Sequence, residues 1–337
     1  MNAVPRLSIG LPVYNGERYL AAAIDALLGQ SYENFELIIS DNASTDATAD
    51  ICRAYAMQDA RIRYIRQRHN IGLAPNHNFV ADEARGEFFK WAAADDLYAR
   101  DLLGSCIEAL DERPDVVLAH SWTAAIDGAG NVTQALEYPI TTDSPNPAER
   151  FRNYMFGSSG VFESVEDGKR RRAYIDNDGV LRACDEYGVI RTAVLRKCAP
   201  HDSYYGADRV ILGEILLHGP FHQTPEWMYF RRDHDDRAYN QSWRERCAIL
   251  DPRRANHRTP RLVAEYIWGY SAAIRRAPLS AAHRRECHRV LADWLLDRAA
   301  GRVFPRHLKP LDEHISAALR GNLVSVRAVV SGQEGRA

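Results

Sequence analysis

The chain has 337 residues, enough for one large or two medium domains. With 46% hydrophobic residues, 26% charged residues and a formal net charge of -2, it reads as an ordinary globular protein, and the balanced charge excludes a general attraction to nucleic acid. No apolar run approaches the roughly 18 residues of a spanning helix, and no basic stretch followed by an apolar one marks a secretory leader. The six cysteines (52, 106, 184, 198, 247 and 287) form no C-x-x-C pair. That spacing fits a reducing, cytoplasmic compartment better than a disulfide frame or a zinc site.

In chain order, three short apolar runs come first: Leu7 to Asn15, Phe35 to Asn42 and Phe88 to Asp96, each ending in polar residues. Between them, Tyr19, Leu20, Ala23, Ile24, Leu27 and Leu28 repeat at helical spacing, as do Ala47, Ile51, Ala54 and Tyr55, with Ser44 or Thr45 available to cap the second helix. Arg61 to Arg66 alternates as a half-exposed strand would, and a short helix is predicted over 76–84. Strands alternating with helices predict right-handed crossovers and an α/β fold with a mostly parallel central sheet flanked by helices.

Further on, the pattern predicts a helix over 100–112, a strand over 116–121, and a hairpin turn at Asp127-Gly128-Ala129-Gly130-Asn131. Residues 139–147 are Pro-rich and loop-like, and Asn177-Asp178-Gly179 reads as another turn. A helix over 206–218 and a strand over 226–231 follow. From about Thr259 the chain reads as helical, with one stripe from Leu262 to Ile274 and another from Val290 to Leu295, punctuated by Pro278 and by Pro305 and Pro310. The basic clusters 169–172, 231–232, 253–254, 275–276 and 284–285 read either as solvated faces or as contacts for anionic lipid or a phosphorylated acceptor.

In an open parallel sheet, ligands sit outside the carboxyl ends of the strands. That rule brings Tyr14, Asp41 and Asp95-Asp96 to one crevice, where an aromatic face and several carboxylates suit a nucleotide with a metal ion. These stretches resemble the family 2 glycosyltransferases of the GT-A fold. The resemblance is carried by Pro12-Val13-Tyr14-Asn15-Gly16-Glu17 with Tyr19-Leu20, Asp41-Asn42-Ala43-Ser44-Thr45-Asp46, Asn70-Ile71-Gly72, Ala84-Arg85-Gly86-Glu87 and Asp95-Asp96. Each motif is weak alone; five in order at family-like spacing, within Leu7 to about His234, are strong.

The resemblance implies an inverting transfer of a sugar from a nucleotide-diphospho-sugar, a UDP-sugar in the first instance, to a hydroxyl acceptor in polysaccharide or glycolipid assembly. It implies a nucleotide-sugar-binding catalytic domain over 1–235, with 158–186 as an acceptor-side insertion or an ordinary one, and a helical C-terminal region over 236–330. Nucleotide contacts fall on Pro12, Tyr14, Glu17, Asp41, His77 and Asp95. Asp41 matches the aspartate that accepts from the uracil imide, and Tyr14 an aromatic beside the base. Asp95, Asp96 and His234 are candidate ligands for Mn2+ or Mg2+, to which hard oxygen donors are suited. Capping of a helix starting near Tyr98 is the alternative for the two aspartates.

The family usually has an aspartate where Ala93 stands, and many members have an arginine where His77 stands. An exposed helical histidine remains an equal reading for His77. Asp208, ahead of the apolar run Val210-Ile211-Leu212, matches a catalytic carboxylate at a helix start, with Asp185-Glu186 as the second candidate pair and a helix-dipole carboxylate as the alternative. A nucleotide-sugar-binding protein without turnover and a sugar nucleotidyltransferase are the competing functions. The second lacks its Gly-rich first turn here, and no G-x-G-x-x-G supports a dehydrogenase.

Overall fold

The computed structural model describes residues 4–135, 140–157, 161–166, 169–174, 186–204, 206–234, 248–254 and 262–299. Asp185, the expected turn at 177–179, Pro305 and Pro310 lie outside these residues, as does most of 158–186. The elements run β1 (Leu7–Val13), α1 (Leu20–Leu28), β2 (Phe35–Asp41), α2 (Thr48–Gln58), β3 (Ile62–Arg66), α3 (Leu73–Asp82), β4 (Phe88–Trp91), β5 (Leu97–Tyr98), α4 (Leu102–Glu112), β6 (Leu118–Ile126), β7 (Val132–Ala135) and α5 (Pro147–Gly157). They continue with β8 (Val161–Glu166), β9 (Lys169–Tyr174), β10 (Val189–Arg191), α6 (Thr192–Leu195), α7 (Ala207–His218), β11 (Phe221–Arg232), α8 (Leu262–Arg276) and α9 (Ala281–Ala299).

A nine-stranded sheet in the order β3-β2-β1-β4-β10-β6-β11-β5, with β7 beside β6, forms the centre. β3, β2, β1 and β4 pair in parallel, and β6 pairs in parallel with β11. The short β10 runs antiparallel between β4 and β6, so those two strands share one direction. The sheet is therefore mostly parallel, as the alternating strands and helices predict, and its carboxyl ends open on one side.

Both faces are covered, which is why the strands are apolar on consecutive rather than alternate positions. Leu7, Ile9, Leu11 and Val13 pack with Leu20, Ile24 and Leu27 of α1 and Leu102, Leu103 and Ile107 of α4. On the other face Ile38, Phe89, Trp91 and Leu118 pack with Val80 of α3 and Ile211, Ile215 and Leu216 of α7. A third cluster joins Phe151 of α5, Val210 of α7, Tyr266, Tyr270 and Ile274 of α8, and Val290, Leu291 and Trp294 of α9. Gly10 is required on β1, since a Cβ there would lie 2.6 Å from Val80 Cγ2 and hold α3 off the sheet.

Several boundaries differ from the sequence expectation. α3 begins at Leu73 rather than Asn76, because Pro75 falls in its first turn, where a missing N–H costs nothing. β11 begins at Phe221 rather than Glu226; the polar start of the run hides a strand whose register shifts on either side of Trp227. Neither Ser44 nor Thr45 caps α2. Its first amides are taken by Glu17 Oε2 (from Ala47 N–H, 2.9 Å) and Asp46 Oδ1 (from Thr48 N–H, 3.0 Å).

Two of the recognised motifs serve the fold. Ser8 Oγ accepts from the Arg85 and Gly86 amides at 3.0 and 2.8 Å and donates to Glu36 Oε1 at 2.7 Å, closing the amino-terminal end of the sheet. Asn42 accepts from the Ile71 amide at 2.8 Å and donates to Asn70 Oδ1 at 3.0 Å, fixing the loop that carries Asn70-Ile71-Gly72.

The helical layer is locked to the sheet layer by an ion pair. Arg276 Nε and Nη2 each donate at 2.7 Å to the carboxylate of Glu214, whose side chain is 1% exposed. Arg276→Met strands that buried carboxylate and is expected to cost roughly 2–3 kcal/mol, below the roughly 3–5 kcal/mol of a fully buried pair because Arg276 is itself partly exposed. Glu214→Leu combined with Arg276→Met removes both charges and should recover at least half of that loss in urea unfolding. A double variant no more stable than Arg276→Met would show that the pair has no such role.

Candidate functional site

The polar residues expected at the strand ends do assemble at the carboxyl side of the sheet, each in a different state of engagement. β1 ends at Val13, and Tyr14 beyond it is 48% exposed, so its ring is available rather than part of the core. Asn15 turns the chain with φ 50° and is pinned by its amide to Ser44 Oγ at 2.9 Å and by its side chain to the Thr45 amide at 2.8 Å. Pro12 sits one residue before the strand end, partly buried. Glu17 reaches across to the start of α2, so its carboxylate holds the two loops together.

Asp41 ends β2 and is fully buried. Its Oδ1 accepts from the Ser44 amide at 2.8 Å, its Oδ2 from the Tyr64 hydroxyl at 2.9 Å, and Arg66 Nε stands 3.6 Å from Oδ2. Both oxygens are thus held in place, each with a lone pair left over.

His77 lies on α3, where Nδ1–H donates to the Leu73 carbonyl at 3.0 Å and the ring faces His201 with centroids 5.7 Å apart. Burial, reinforced by the second imidazole, pushes its pKa down to about 3. It is neutral at physiological pH, and with Nδ1–H spent on Leu73 its Nε2 can only accept, so it supplies neither the charge nor the donors of an arginine. Its neighbours Asn76 and Asn78 clamp α3, the first to Ser40 of β2 and the second to the backbone of His201.

After β4 the chain reaches Ala93, whose amide is bonded to the Tyr98 hydroxyl at 2.8 Å, and then the two aspartates. No helix starts near Tyr98; β5 follows, so helix capping does not account for the aspartates. They face different ways. Asp96 is buried and accepts from the Arg232 amide at 2.7 Å and from the Tyr229 hydroxyl. Asp95 is more open, and its Oδ2 meets Nε2 of His234 at 3.0 Å.

Arg232 supports this corner. Its Nε donates to the Asp95 carbonyl at 2.7 Å, its Nη1 donates to the Asp127 and Gly128 carbonyls at 3.1 Å, and its guanidinium lies 4.6 Å from the centre of the Tyr19 ring. Asp95 and His234 supply one oxygen and one nitrogen donor of the kind Mn2+ or Mg2+ accepts. Among the described residues no group of three or more His, Cys, Asp or Glu side chains gathers to hold a metal ion. A cation at this pair would therefore draw its remaining ligands from a bound diphosphate or water.

A chain of aromatic contacts joins this corner to a second pair of carboxyl groups. The Tyr229 ring, whose hydroxyl holds Asp96, stacks on Tyr187 at 5.3 Å and 26°. Glu186 precedes Tyr187, is 6% exposed, and faces Asp208 in the first turn of α7. Burial first, and then the Asp208 charge, raise Glu186 well above the usual carboxylate range. Asp208 itself is half-buried, and among the described residues no group donates a hydrogen bond to its carboxylate.

Glu186 was only a second candidate in the sequence; Tyr187, Tyr229 and Lys90 were not singled out at all. Lys90 had a visible signal: one charge inside the apolar run Phe88 to Ala92. It is fully buried, donates to the Tyr187 carbonyl, and lies over the Tyr98 ring at 5.1 Å.

The chain covers 97% of its own length against the crystal structure of S. aureus TarS 1-349 in complex with UDP-GlcNAc, with TM-score 0.59, 16% identity and 83% of that chain covered, which shows a shared GT-A fold. Glycosyltransferase GlyG of Streptococcus pneumoniae is 32% identical over 115 residues, 34% of this chain and 38% of GlyG. Glycosyltransferase GlyA of the same organism is 31% identical over 107 residues, 32% of this chain and 15% of GlyA. The chain thus spans well under two thirds of either relative. The model of the family described as glycosyl transferase family 2 matches residues 8–179, just over half of the chain, and the protein belongs to that family.

Proposed function

We propose that the protein is an inverting glycosyltransferase that moves a sugar from a UDP-sugar to a hydroxyl of a glycan or glycolipid acceptor, with Asp208 as the base. The observation that carries this reading is the contrast among the carboxylates: Asp41 and Asp96 have both oxygens bonded by the protein, whereas Asp208 accepts no hydrogen bond among the described residues. A carboxylate that no protein group bonds keeps both oxygens open to an acceptor hydroxyl. Burial, and then the neighbouring Asp208 charge, push the Glu186 pKa well up, which favours the protonated form of Glu186 beside Asp208.

In the transfer, an acceptor hydroxyl bound against Asp208 gives its proton to that carboxylate as its oxygen attacks the anomeric carbon. The bond from that carbon to the diphosphate breaks in the same displacement, so configuration inverts and UDP leaves. Asp95 and His234 would hold Mn2+ or Mg2+, whose charge offsets the negative charge building on the leaving diphosphate. Tyr14, Pro12 and Asp41 are assigned to the nucleotide, with Glu17 and Asp96 shaping the loops and His77 a neutral neighbour whose one N–H is held by Leu73. The UDP-GlcNAc held by TarS supports testing uridine nucleotides first. We assign catalysis to 1–235, with 158–186 on the acceptor side; of the region 236–330, the described α-helices are α8 and α9, and 300–330 lies outside the described residues. Among the described residues no helix is long and apolar enough to cross a membrane.

Three measurements test this. Asp208→Asn is expected to leave UDP affinity, by calorimetry, within a few fold while transfer falls by about 10²-fold or more. Near-normal turnover in that variant together with its loss in Glu186→Gln would move the base to Glu186. UDP binding without transfer or donor hydrolysis across a broad acceptor panel would favour a binding protein, the reading that Ala93 first suggested. Full activity in excess chelator would remove the metal from the scheme.

A separate measurement reads Glu186 through stability. Because folding raises its pKa, the native state keeps a proton that the unfolded chain has released above about pH 4.3, so stability falls as pH rises from there toward the folded value. Glu186→Gln removes that dependence. The melting temperature of Glu186→Gln relative to the unmutated chain should rise steadily between pH 5 and pH 8, and a constant difference would place Glu186 in an ordinary environment.

A further inference from the structure

Arg209, the residue after Asp208, is held with unusual care by its backbone and left open at its side chain. α7 starts from Gly206 at φ 82°, where a Cβ would sit 1.7 Å from the Tyr266 hydroxyl; only glycine fits both the conformation and the space. The Arg209 carbonyl accepts from the hydroxyls of Tyr154 on α5 at 2.7 Å and Tyr270 on α8 at 3.2 Å. Both phenols reach it across Gly213, where a Cβ would lie 2.8 Å from Tyr270 and 3.2 Å from Tyr154. Three helices thus fix the one residue that follows Asp208 in the first turn of α7.

Its guanidinium has a different fate from the other enclosed arginines. Arg150 donates to the carbonyls of Leu216, Ser144 and Pro145, Arg191 to those of Val116, Leu110 and Arg113, and Arg276 to Glu214. Arg209 is half-buried, stands within electrostatic reach of Tyr266, Asp208, Tyr154 and Tyr270, and donates to no acceptor among the described residues. A guanidinium presents five N–H donors in a planar fork, and those of Arg209 are open to solvent rather than bonded to the protein among the described residues. An oxyanion satisfies two of them at once, and the first-turn amides of α7 add a favourable field.

We propose that Arg209 binds an oxyanion, phosphate or carboxylate, of a substrate lying against Asp208. The chemistry is shared by two sources: the donor's diphosphate, or an acidic group on the acceptor next to the hydroxyl that reacts. The proposal rests on the Asp208 reading above only in calling the anion part of a substrate. Asp208 does not preclude it, because Arg209 stands within electrostatic reach of that carboxylate and offsets its charge.

The test uses the full chain and inorganic phosphate as the probe, titrated in chelator so that no metal at Asp95 and His234 contributes. The unmutated chain should bind phosphate, and Arg209→Gln should bind it at least tenfold more weakly while melting at an unchanged temperature. If Arg209→Gln does not fold, Arg209→Lys carries the test; it retains the stem and charge but loses the fork, and should weaken phosphate at least threefold. Phosphate that binds Arg209→Gln or Arg209→Lys as it binds the unmutated chain, or that does not bind the unmutated chain at all, overturns the proposal.

A second arm adds UDP with Mn2+. Exclusion of phosphate by saturating UDP, with UDP itself weakened in Arg209→Gln, assigns the site to the donor diphosphate. Unchanged UDP affinity, with phosphate still binding to the UDP-saturated chain, assigns it to an acidic acceptor. Loss of transfer with phosphate binding intact would count against the glycosyltransferase reading and leave this site standing.

Discussion

The carboxyl end of the sheet depends on the hydrogen bonds of one buried carboxylate. Asp96 takes the Arg232 amide and the Tyr229 hydroxyl, and in doing so holds the segment that leads from β4 into β5 against the end of β11. A desolvated carboxylate without those donors would cost several kcal/mol, so the joint is strongly specified. Everything beside it follows. Asp95, one residue earlier, is turned toward His234, and the Arg232 side chain returns to bond the Asp95 carbonyl and the β6–β7 turn. Two adjacent aspartates therefore divide the work: one builds the corner, the other is presented from it.

The same division runs through the other motifs. Ser8, Glu36, Arg85 and Gly86 close the far end of the sheet, and Asn42, Asn70 and Gly72 hold a loop. Loops carry backbone amides with no ladder partner, and a short polar side chain at a fixed offset is the economical acceptor. Much of what is recognisable in the sequence is thus scaffolding for a crevice, and the residues free to meet a ligand are those the scaffold leaves without bonds: the Tyr14 ring, Asp95 in part, Asp208 and Arg209.

The helical layer has a part in the site as well. Tyr154, Tyr266 and Tyr270 come from α5 and α8, yet they determine where α7 begins and hence where Asp208 and Arg209 stand. The Glu214–Arg276 pair fixes α8 against α7 from the opposite end. The strand-end crevice and the helical region therefore meet along α7, a sheet-covering helix on one side and a tyrosine-lined one on the other.

The sequence by itself determined the α/β class, the parallel strands, the polar strand ends and the family, because apolar periodicity and turn chemistry are local. It placed α3 and β11 short by a few residues, where Pro75 and the polar start of β11 contradict the local pattern. It also placed Asp41, Asp95, Asp96 and Asp208 at element ends, and the family resemblance gave each an expected role, but not which of them the protein itself bonds, since four carboxylates in similar local settings look alike in a string. Only the tertiary structure decided that Tyr64 and Ser44 hold Asp41, that β11 holds Asp96, that Asp95 meets His234 from 139 positions away, and that Glu186 faces Asp208. Hydrogen-bond satisfaction and burial are properties of neighbours brought together by the sheet and helices, and those neighbours are distant in the chain.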